Sequence, residues 1–184
     1  MMQHANFPFV NANYDFSNTV LDGRIAAEHV FQRGDLKIGV FGVGVELEGL
    51  VDPTLYLETR YIDPVAIANQ QAAKLKNERG CHLVICLSHL GYEYATEKVS
   101  DRVLAAESTD IDIIIGGHTH TLLPKPIKVA NKNDAEVTIA QVGWAGTRLG
   151  RIDVEFDRTA AGPQKAQTAG NAYELWSSGR PKLA

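Results

Sequence analysis

Three histidines stand at positions from which they could bind a metal ion. His118 and His120 follow an apolar run at 111–115 and a pair of glycines. His89 follows a second apolar run at 83–87. Imidazole is a common ligand of divalent transition metals, and ligands of open α/β sheets bind outside the carboxyl ends of the strands. A lone histidine is more often structural, but three at the ends of two predicted strands favour a metal site over coincidence.

The two apolar runs predict buried parallel strands that are joined by a helix. Each run is nearly continuous in hydrophobic residues, as in strands whose two faces are both covered. A first helix is predicted from Asp63, a suitable N-cap, with Pro64 at its first position. A second helix is predicted over 97–107, between the two strands. This alternation places the strands side by side in one parallel sheet, which would bring His89 near His118.

The rest of the chain predicts further strands and a polar end. Residues 7–14 predict a short strand that ends in turn-capping asparagines, and residues 26–43 predict a hairpin. Three more strands, expected to be antiparallel, are predicted at 127–130, 137–142 and 149–156. We therefore divide the chain into a folded part at residues 1–158 and a polar linker or tail at residues 159–184.

The overall composition argues against several classes of partner. The chain has 184 residues, 45% of them hydrophobic, and a net charge of −4, without a basic stripe that would favour nucleic acid. No apolar stretch approaches the roughly 20 residues of a membrane-spanning helix, and the first residues lack the features of a signal peptide. We expect neither a nucleic-acid nor a membrane partner. Cys81 and Cys86 lie too far apart along an extended segment for a disulfide, so free structural thiols are predicted.

Two motifs of this sequence resemble motifs of a known enzyme family. Residues 88–91 (Ser-His-Leu-Gly) and 116–120 (Gly-Gly-His-Thr-His) resemble the last two motifs of the calcineurin-like metallophosphoesterases. The similarity is greatest to the 5′-nucleotidase and UDP-sugar hydrolase branch. It covers residues 7–157, because other segments stand in the family's order at plausible distances.

The resemblance implies an α/β fold that is part of the family's four-layer α/β/β/α sandwich. It also implies a centre of two divalent metal ions, Zn, Mn or similar, that binds a phosphate ester and activates a water molecule for in-line attack. By resemblance, His89 and His118 would bind one metal ion and His120 the other. The implied function is hydrolysis of nucleotide phosphate esters by a hydrolase of the 5′-nucleotidase type.

The sequence departs from the family in the first half of the domain. The family's Asp-x-His, Gly-Asp and Gly-Asn-His-Glu motifs supply the other metal ligands and a catalytic Asn-His pair, and none of them is present. We therefore expect the N-terminal βαβ portion of the fold to be missing, assign no catalytic residue and leave the substrate-binding residues unknown. The contributions of catalytic groups that act as a unit are not additive, so the loss of one group removes most of the activity. We therefore expect little or no turnover by this polypeptide alone.

The missing motifs leave three hypotheses open. The chain is one half of a split enzyme that needs an N-terminal half chain, a truncated remnant or binding module with at most a weak metal site, or a mononuclear metal-binding protein. A nucleotide or another phosphate ester is the expected ligand of a complemented enzyme. The family is often periplasmic or exported, whereas this sequence has no signal peptide, so the compartment stays open.

Overall fold

A six-stranded mixed sheet forms the centre of the fold. The structure is a computed structural model that describes residues 2–159, 162–174, 176–177 and 180–181. The strands are β1 (Tyr14–Asp15), β2 (Glu28–Arg33), β3 (Leu36–Gly44), β4 (Arg60–Tyr61), β5 (Leu83–His89), β6 (Ile113–Ile115), β7 (Ile127–Ala130), β8 (Glu136–Ala140), β9 (Arg148–Thr159), β10 (Gly162–Glu174), β11 (Trp176–Ser177) and β12 (Arg180–Pro181). The central sheet has the order β2-β3-β5-β6-β8-β7, and its four middle strands are parallel.

The first predicted helix has the predicted N-terminal cap, whereas the second begins later than predicted. The helices are a 3₁₀ turn (Met2–His4), α1 (Pro53–Tyr56), α2 (Pro64–Ala73), which continues into a π-helical turn (Lys74–Glu78), and α3 (Asp101–Glu107). As predicted, the Asp63 side chain caps α2 by accepting a hydrogen bond from the Ala66 amide at 2.7 Å. The second predicted helix begins at residue 101 and not at 97, because Ser100 is its N-cap. Within the described ranges, no helix is long and apolar enough to cross a membrane.

The predicted strand–helix–strand unit around the histidines is present. β5 and β6 are parallel neighbours, and their register pairs Ile85 with Ile113 and Leu87 with Ile115. The carboxyl ends of both strands therefore lie at the same edge of the sheet. This confirms the expected adjacency of the two strands and the α/β class of the fold.

The helical face of the sheet holds the hydrophobic core. Buried side chains of the strands cluster with those of α2, the π-helical turn and α3, including Val84, Cys86, Ile114, Leu75 and Leu104. Burial raises the pKa of the Cys86 thiol well above its usual value. Cys81 and Cys86 are both buried and free, as predicted.

The opposite face of the sheet is apolar but incompletely covered. Ile85 and Ile113 line a cavity of about 530 Å³ between this face and β9–β10. Nearer the carboxyl edge, Leu87 and Ile115 are 41% and 42% exposed. We call this surface, made of Leu87, Ile115 and the mouth of the cavity, the open face.

The end of the chain differs from its prediction as a polar linker or tail. The 13-residue strand β10 pairs with β9 in an antiparallel hairpin. β9 therefore lies outside the central sheet. β8, which precedes β9, joins the central sheet parallel to β6. Lys165 of β10 reaches the buried Asp112 at 2.7 Å, and Lys76 reaches the same carboxylate at 2.8 Å. The Lys165–Asp112 ion pair ties β10, whose small and polar residues do not by themselves favour a strand, to the body of the fold. Residues 160–161, 175, 178–179 and 182–184 of the predicted tail lie outside the described residues, and the domain boundary stays a prediction.

The start of the chain bends where a longer strand was predicted. Val10 makes an isolated bridge with Ala26, and only the two residues of β1 pair as a strand, with β4. The predicted capping asparagines explain the bend. Asn11 accepts a hydrogen bond from the Tyr14 amide at 2.9 Å. Asn13 is buried and bonds both the amide and the carbonyl group of Gly44 at 2.8 Å.

Candidate metal centre

His89 and His118 lie side by side at the carboxyl edge of the parallel sheet. Their ring centroids are 5.1 Å apart, and the ring planes cross at 70°. His89 is the last residue of β5, whereas His118 lies in the turn that follows β6. The structure therefore brings together two of the three histidines that were predicted to bind metal.

The turn that carries His118 and His120 has a strained backbone. Both residues adopt left-handed conformations, with φ of 71° and 54°. Such a conformation costs a residue with a side chain roughly 1–2 kcal/mol. The turn is held to the neighbouring strand by the Gly116 amide, which donates to the Ala140 carbonyl oxygen at 2.8 Å.

Gly117 lets the two histidine-bearing segments approach each other. A Cβ atom at this position would lie 3.0 Å from His89 Nδ1 and 3.4 Å from the Ser88 carbonyl oxygen. The first distance is shorter than ordinary van der Waals contact. A side chain at residue 117 would therefore push the His89 ring away from its present place beside His118.

Asp101 is a buried carboxyl group that contacts Ser88 and Gly116, close to the histidine pair. Ser88 Oγ donates a hydrogen bond to its Oδ1, whereas Oδ2 has no hydrogen-bond partner among the described residues. Burial raises the pKa of Asp101 to about 6, and the Ser88 hydrogen bond lowers it by less. Burying this carboxyl group next to the site therefore has a desolvation cost. A buried group with a raised pKa can either support the structure or take part in acid–base chemistry.

The surroundings of His118 favour its neutral form. Burial lowers the pKa of His118, and the charges that His89, Lys98 and His120 carry when protonated lower it further. A neutral imidazole is the form that coordinates a metal ion, because a protonated ring nitrogen has no free lone pair. The electrostatics of the site thus suit metal binding near neutral pH.

His120 lies against an aromatic ring. It stacks on Trp144 with centroids 5.5 Å apart and planes inclined by 21°, and Trp144 itself is exposed. No local pattern predicts this partner, since Trp144 follows β8 and its loop is distant along the chain. The separate role of His120 on a second metal ion stays a prediction.

Sequence reasoning missed three residues of this site. Gln141 and Trp144 lie within residues 7–157, the part that resembles the family, and no role was predicted for either. Asp101 was placed inside a helix that was expected to begin at residue 97, whereas it is the first residue of α3. A capping serine followed by an acidic residue was the available signal for the helix start.

The described residues do not form a complete metal site. The imidazoles of His89 and His118 are of the right chemical type for a divalent transition metal, and their ring centroids lie 5.1 Å apart. Yet no group of three or more histidine, cysteine, aspartate or glutamate side chains among the described residues could hold a metal ion. Catalytic metal sites usually have at least three protein ligands. The donor set therefore fits in kind and falls short in number.

Comparison with known proteins identifies the family. The chain is 31% identical over 168 residues to the trifunctional nucleotide phosphoesterase protein YfkN of Bacillus subtilis, a match that covers 82% of this chain and 11% of that protein. It is 29% identical over 174 residues to the snake venom 5′-nucleotidase of Gloydius brevicauda, covering 85% and 28%. The chain belongs to the 5′-nucleotidase branch of the calcineurin-like phosphoesterases. No family model matches it.

The fold agrees with membership of the calcineurin-like phosphoesterases. The structure resembles the crystal structure of a 5′-nucleotidase precursor from Thermus thermophilus with a TM-score of 0.77 and 26% identity. This match covers 94% of the chain and 34% of that protein. The chain therefore represents a portion of a larger phosphoesterase fold, and it spans 11% to 28% of the length of the two curated relatives named above.

Proposed function

We propose that this chain contributes one side of a dinuclear-metal phosphoric ester hydrolase of the 5′-nucleotidase type. The observation that carries the proposal is the pairing of His89 and His118 at the carboxyl edge of β5 and β6, in a chain related to nucleotide phosphoesterases. In the complete centre, these two imidazoles bind one ion and His120 binds the other. The bound metal ions would supply Lewis-acid activation of water and of the phosphate ester.

The remaining donors come, on this proposal, from the portion of the phosphoesterase domain that precedes this segment in its relatives. That portion belongs either to the same polypeptide or to a separate chain. The open face supports the proposal, because Leu87 and Ile115 are large apolar side chains exposed beside the histidines. An apolar surface next to an incomplete donor set is what a half-domain interface leaves behind when its partner is absent.

A non-catalytic binding module is the second candidate function. It is favoured by the shortage of metal donors among the described residues. In this alternative the chain retains the fold and a weak two-histidine site but has no partner to complete it. The two candidates differ in one respect that can be measured, which is whether the chain supports hydrolysis once the other half of the domain is supplied.

A graft into a related enzyme tests the proposal. Residues 7–157 replace the matching segment of the Thermus thermophilus 5′-nucleotidase, and hydrolysis of a nucleoside monophosphate is measured with Mn²⁺ or Zn²⁺. The 184-residue chain alone is assayed in parallel. We expect turnover by the graft and none above background by the chain alone. His118→Ala in the graft should lower kcat by at least about 100-fold, because metal ligands act as a unit.

The outcomes separate the two functions. A folded graft without activity favours the binding module. Robust hydrolysis by the isolated chain contradicts the need for further donors. Full activity of the His118→Ala graft rules out the assigned role of that histidine.

A further inference from the structure

Gln141 is a buried amide whose two polar ends both reach the turn of His118. It follows β8 directly, and its side chain is 1% exposed. Its Nε2 donates a hydrogen bond to the Gly117 carbonyl oxygen, and its Oε1 accepts one from the Thr119 hydroxyl at 3.2 Å. These two partners are the residues immediately before and after His118. A single side chain therefore fixes the backbone on one side of the histidine and the side chain on the other.

The two hydrogen bonds of Gln141 act as a clamp on a turn that would otherwise relax. His118 has a left-handed backbone with φ of 71°, a region that favours glycine. An extended alternative would point its ring elsewhere. Because the two bonds of Gln141 hold Gly117 and Thr119, the backbone at residue 118 cannot rotate without breaking at least one of them.

The same hydrogen bonds connect the turn to the segment after His89. The Thr119 hydroxyl oxygen accepts a hydrogen bond from the Tyr92 amide at 3.0 Å while its proton is donated to Gln141. Tyr92 lies three residues after His89. Gln141 and Thr119 thus tie together the two segments that carry the paired imidazoles.

We infer that Gln141 is a positioning residue that holds the ring of His118 beside that of His89. The metal-binding part of this inference rests on the proposed function. The clamp itself is a property of the metal-free chain. The position demands one donor and one acceptor at the end of a side chain of this length. Methionine has the length without either group, so Gln141→Met removes both bonds at nearly constant volume.

A second buried amide on the same hairpin provides a matched control. Asn131 lies between β7 and β8, at the other end of β8, and is 6% exposed. Its Oδ1 accepts from the amides of Asn133 at 2.9 Å and Ala135 at 3.0 Å, and its Nδ2 donates to the Thr109 carbonyl oxygen at 3.0 Å. Asn131→Leu therefore removes buried amide bonds of similar number far from the histidines.

The test uses residues 1–184 and two readouts. The first is the amide hydrogen exchange rate of Tyr92 without metal, and the second is Co²⁺ affinity followed by visible absorption. In Gln141→Met we expect Tyr92 exchange to rise at least about 10-fold and Co²⁺ affinity to fall by about 10-fold or more, as for other residues that support metal ligands. Asn131→Leu should lower the unfolding temperature and leave both readouts unchanged.

The possible results distinguish failure of the positioning role of Gln141 from failure of the proposed metal site. Unchanged Tyr92 exchange and unchanged Co²⁺ affinity in Gln141→Met overturn the positioning role. Equal changes in both variants also overturn it, because they would reflect general destabilisation. If the wild-type chain binds no Co²⁺ while Tyr92 exchange still rises only in Gln141→Met, the metal site of the proposed function fails and the clamp stands.

Discussion

Oδ2 of Asp101 lies so close to Gly116 that a Cβ atom on this glycine would overlap it. The other oxygen, Oδ1, accepts a hydrogen bond from Ser88. Ser88 precedes His89, and Gly116 lies two residues before His118. One buried carboxyl group therefore touches both segments that carry the paired histidines.

The raised pKa of Asp101 predicts a specific dependence of stability on pH. Its folded pKa of about 6 lies above its ordinary value of 3.8, so the folded state binds its proton more tightly than the unfolded state. The free energy of unfolding should therefore fall as pH rises from about 4 to about 6, by about 2–3 kcal/mol for this group. Asp101→Asn keeps an acceptor for Ser88 and cannot titrate.

Urea unfolding at pH 4, 5, 6 and 7 of the wild type and of Asp101→Asn measures this contribution. Other carboxyl groups titrate in both proteins, so the difference between the two curves isolates Asp101. The difference should change through pH 4–6 and level off above it. Two parallel curves would show that Asp101 has an ordinary pKa.

Gly117→Ala should disturb the histidine pair with little effect on the backbone, because Gly117 does not have a positive φ. The added Cβ would lie 3.0 Å from His89 Nδ1 and displace that ring. Co²⁺ affinity is expected to fall by about 10-fold or more, and the nuclear Overhauser effect between the rings of His89 and His118 should weaken.

The control for this change is Gly39→Ala. A Cβ there would lie 2.8 Å from Leu75 Cδ2, within the core. It should cost about 1–3 kcal/mol of stability through overpacking and spare the Co²⁺ site. The interpretation of Gly117 is contradicted if its alanine variant binds Co²⁺ as tightly as the wild type.

Asp112 should anchor the β9–β10 hairpin to the body of the fold. Its carboxylate accepts hydrogen bonds from Lys76, Lys165 and the Val84 amide at 2.7 to 2.8 Å. Asp112→Asn keeps the size and removes the charge between two lysines. We expect a loss of about 2 kcal/mol in the free energy of unfolding and faster amide exchange along β10.

Asp35→Asn is the matched surface change, because Asp35 pairs with Arg158 of β9 and both side chains are exposed. Exposed ion pairs contribute about 0–1 kcal/mol, so this variant should unfold almost as the wild type does. Equal losses in the two variants would argue against a special role for Asp112.

The open face should drive association of the isolated chain. Leu87 and Ile115 are neighbours in register and about equally exposed. Leu87→Thr combined with Ile115→Thr should shift sedimentation toward the monomer, because it removes apolar surface without opening the core. Leu55→Thr on α1 removes a side chain that is also exposed and should change nothing. Unaltered association of the double variant would place the associating surface elsewhere.

The sequence predicted those parts of the fold that depend on local signals. The cap at Asp63 and the buried runs ending at His89 and before His118 follow from residue type and spacing over a few positions. The strand β10 was missed, since its polar and small residues are held by a distant partner, the Asp112 carboxylate. Long-range pairing of this kind leaves no trace in the local pattern.

The histidines of the candidate site could be found from the sequence, whereas the residues that support them could not. Histidines at strand ends can be found from the strand pattern alone. The roles of Gln141 and Asp101 depend on contacts between distant parts of the chain, such as the bonds from Gln141 to Thr119 and Gly117, which span 22 and 24 positions. Their side chains look ordinary in the sequence because burial and hydrogen-bond partners appear only after folding.

The left-handed backbone at His118 and His120 also restricts which amino acids this turn can use. Apart from glycine, the residues that tolerate this region best are asparagine, aspartate and histidine. Each of these carries a nitrogen or oxygen atom able to hold a cation. A protein engineer could exchange His118 for aspartate to favour a harder ion while keeping the loop, whereas valine would distort it. Apart from glycine, the backbone conformation of this turn thus favours residues that can also bind a cation.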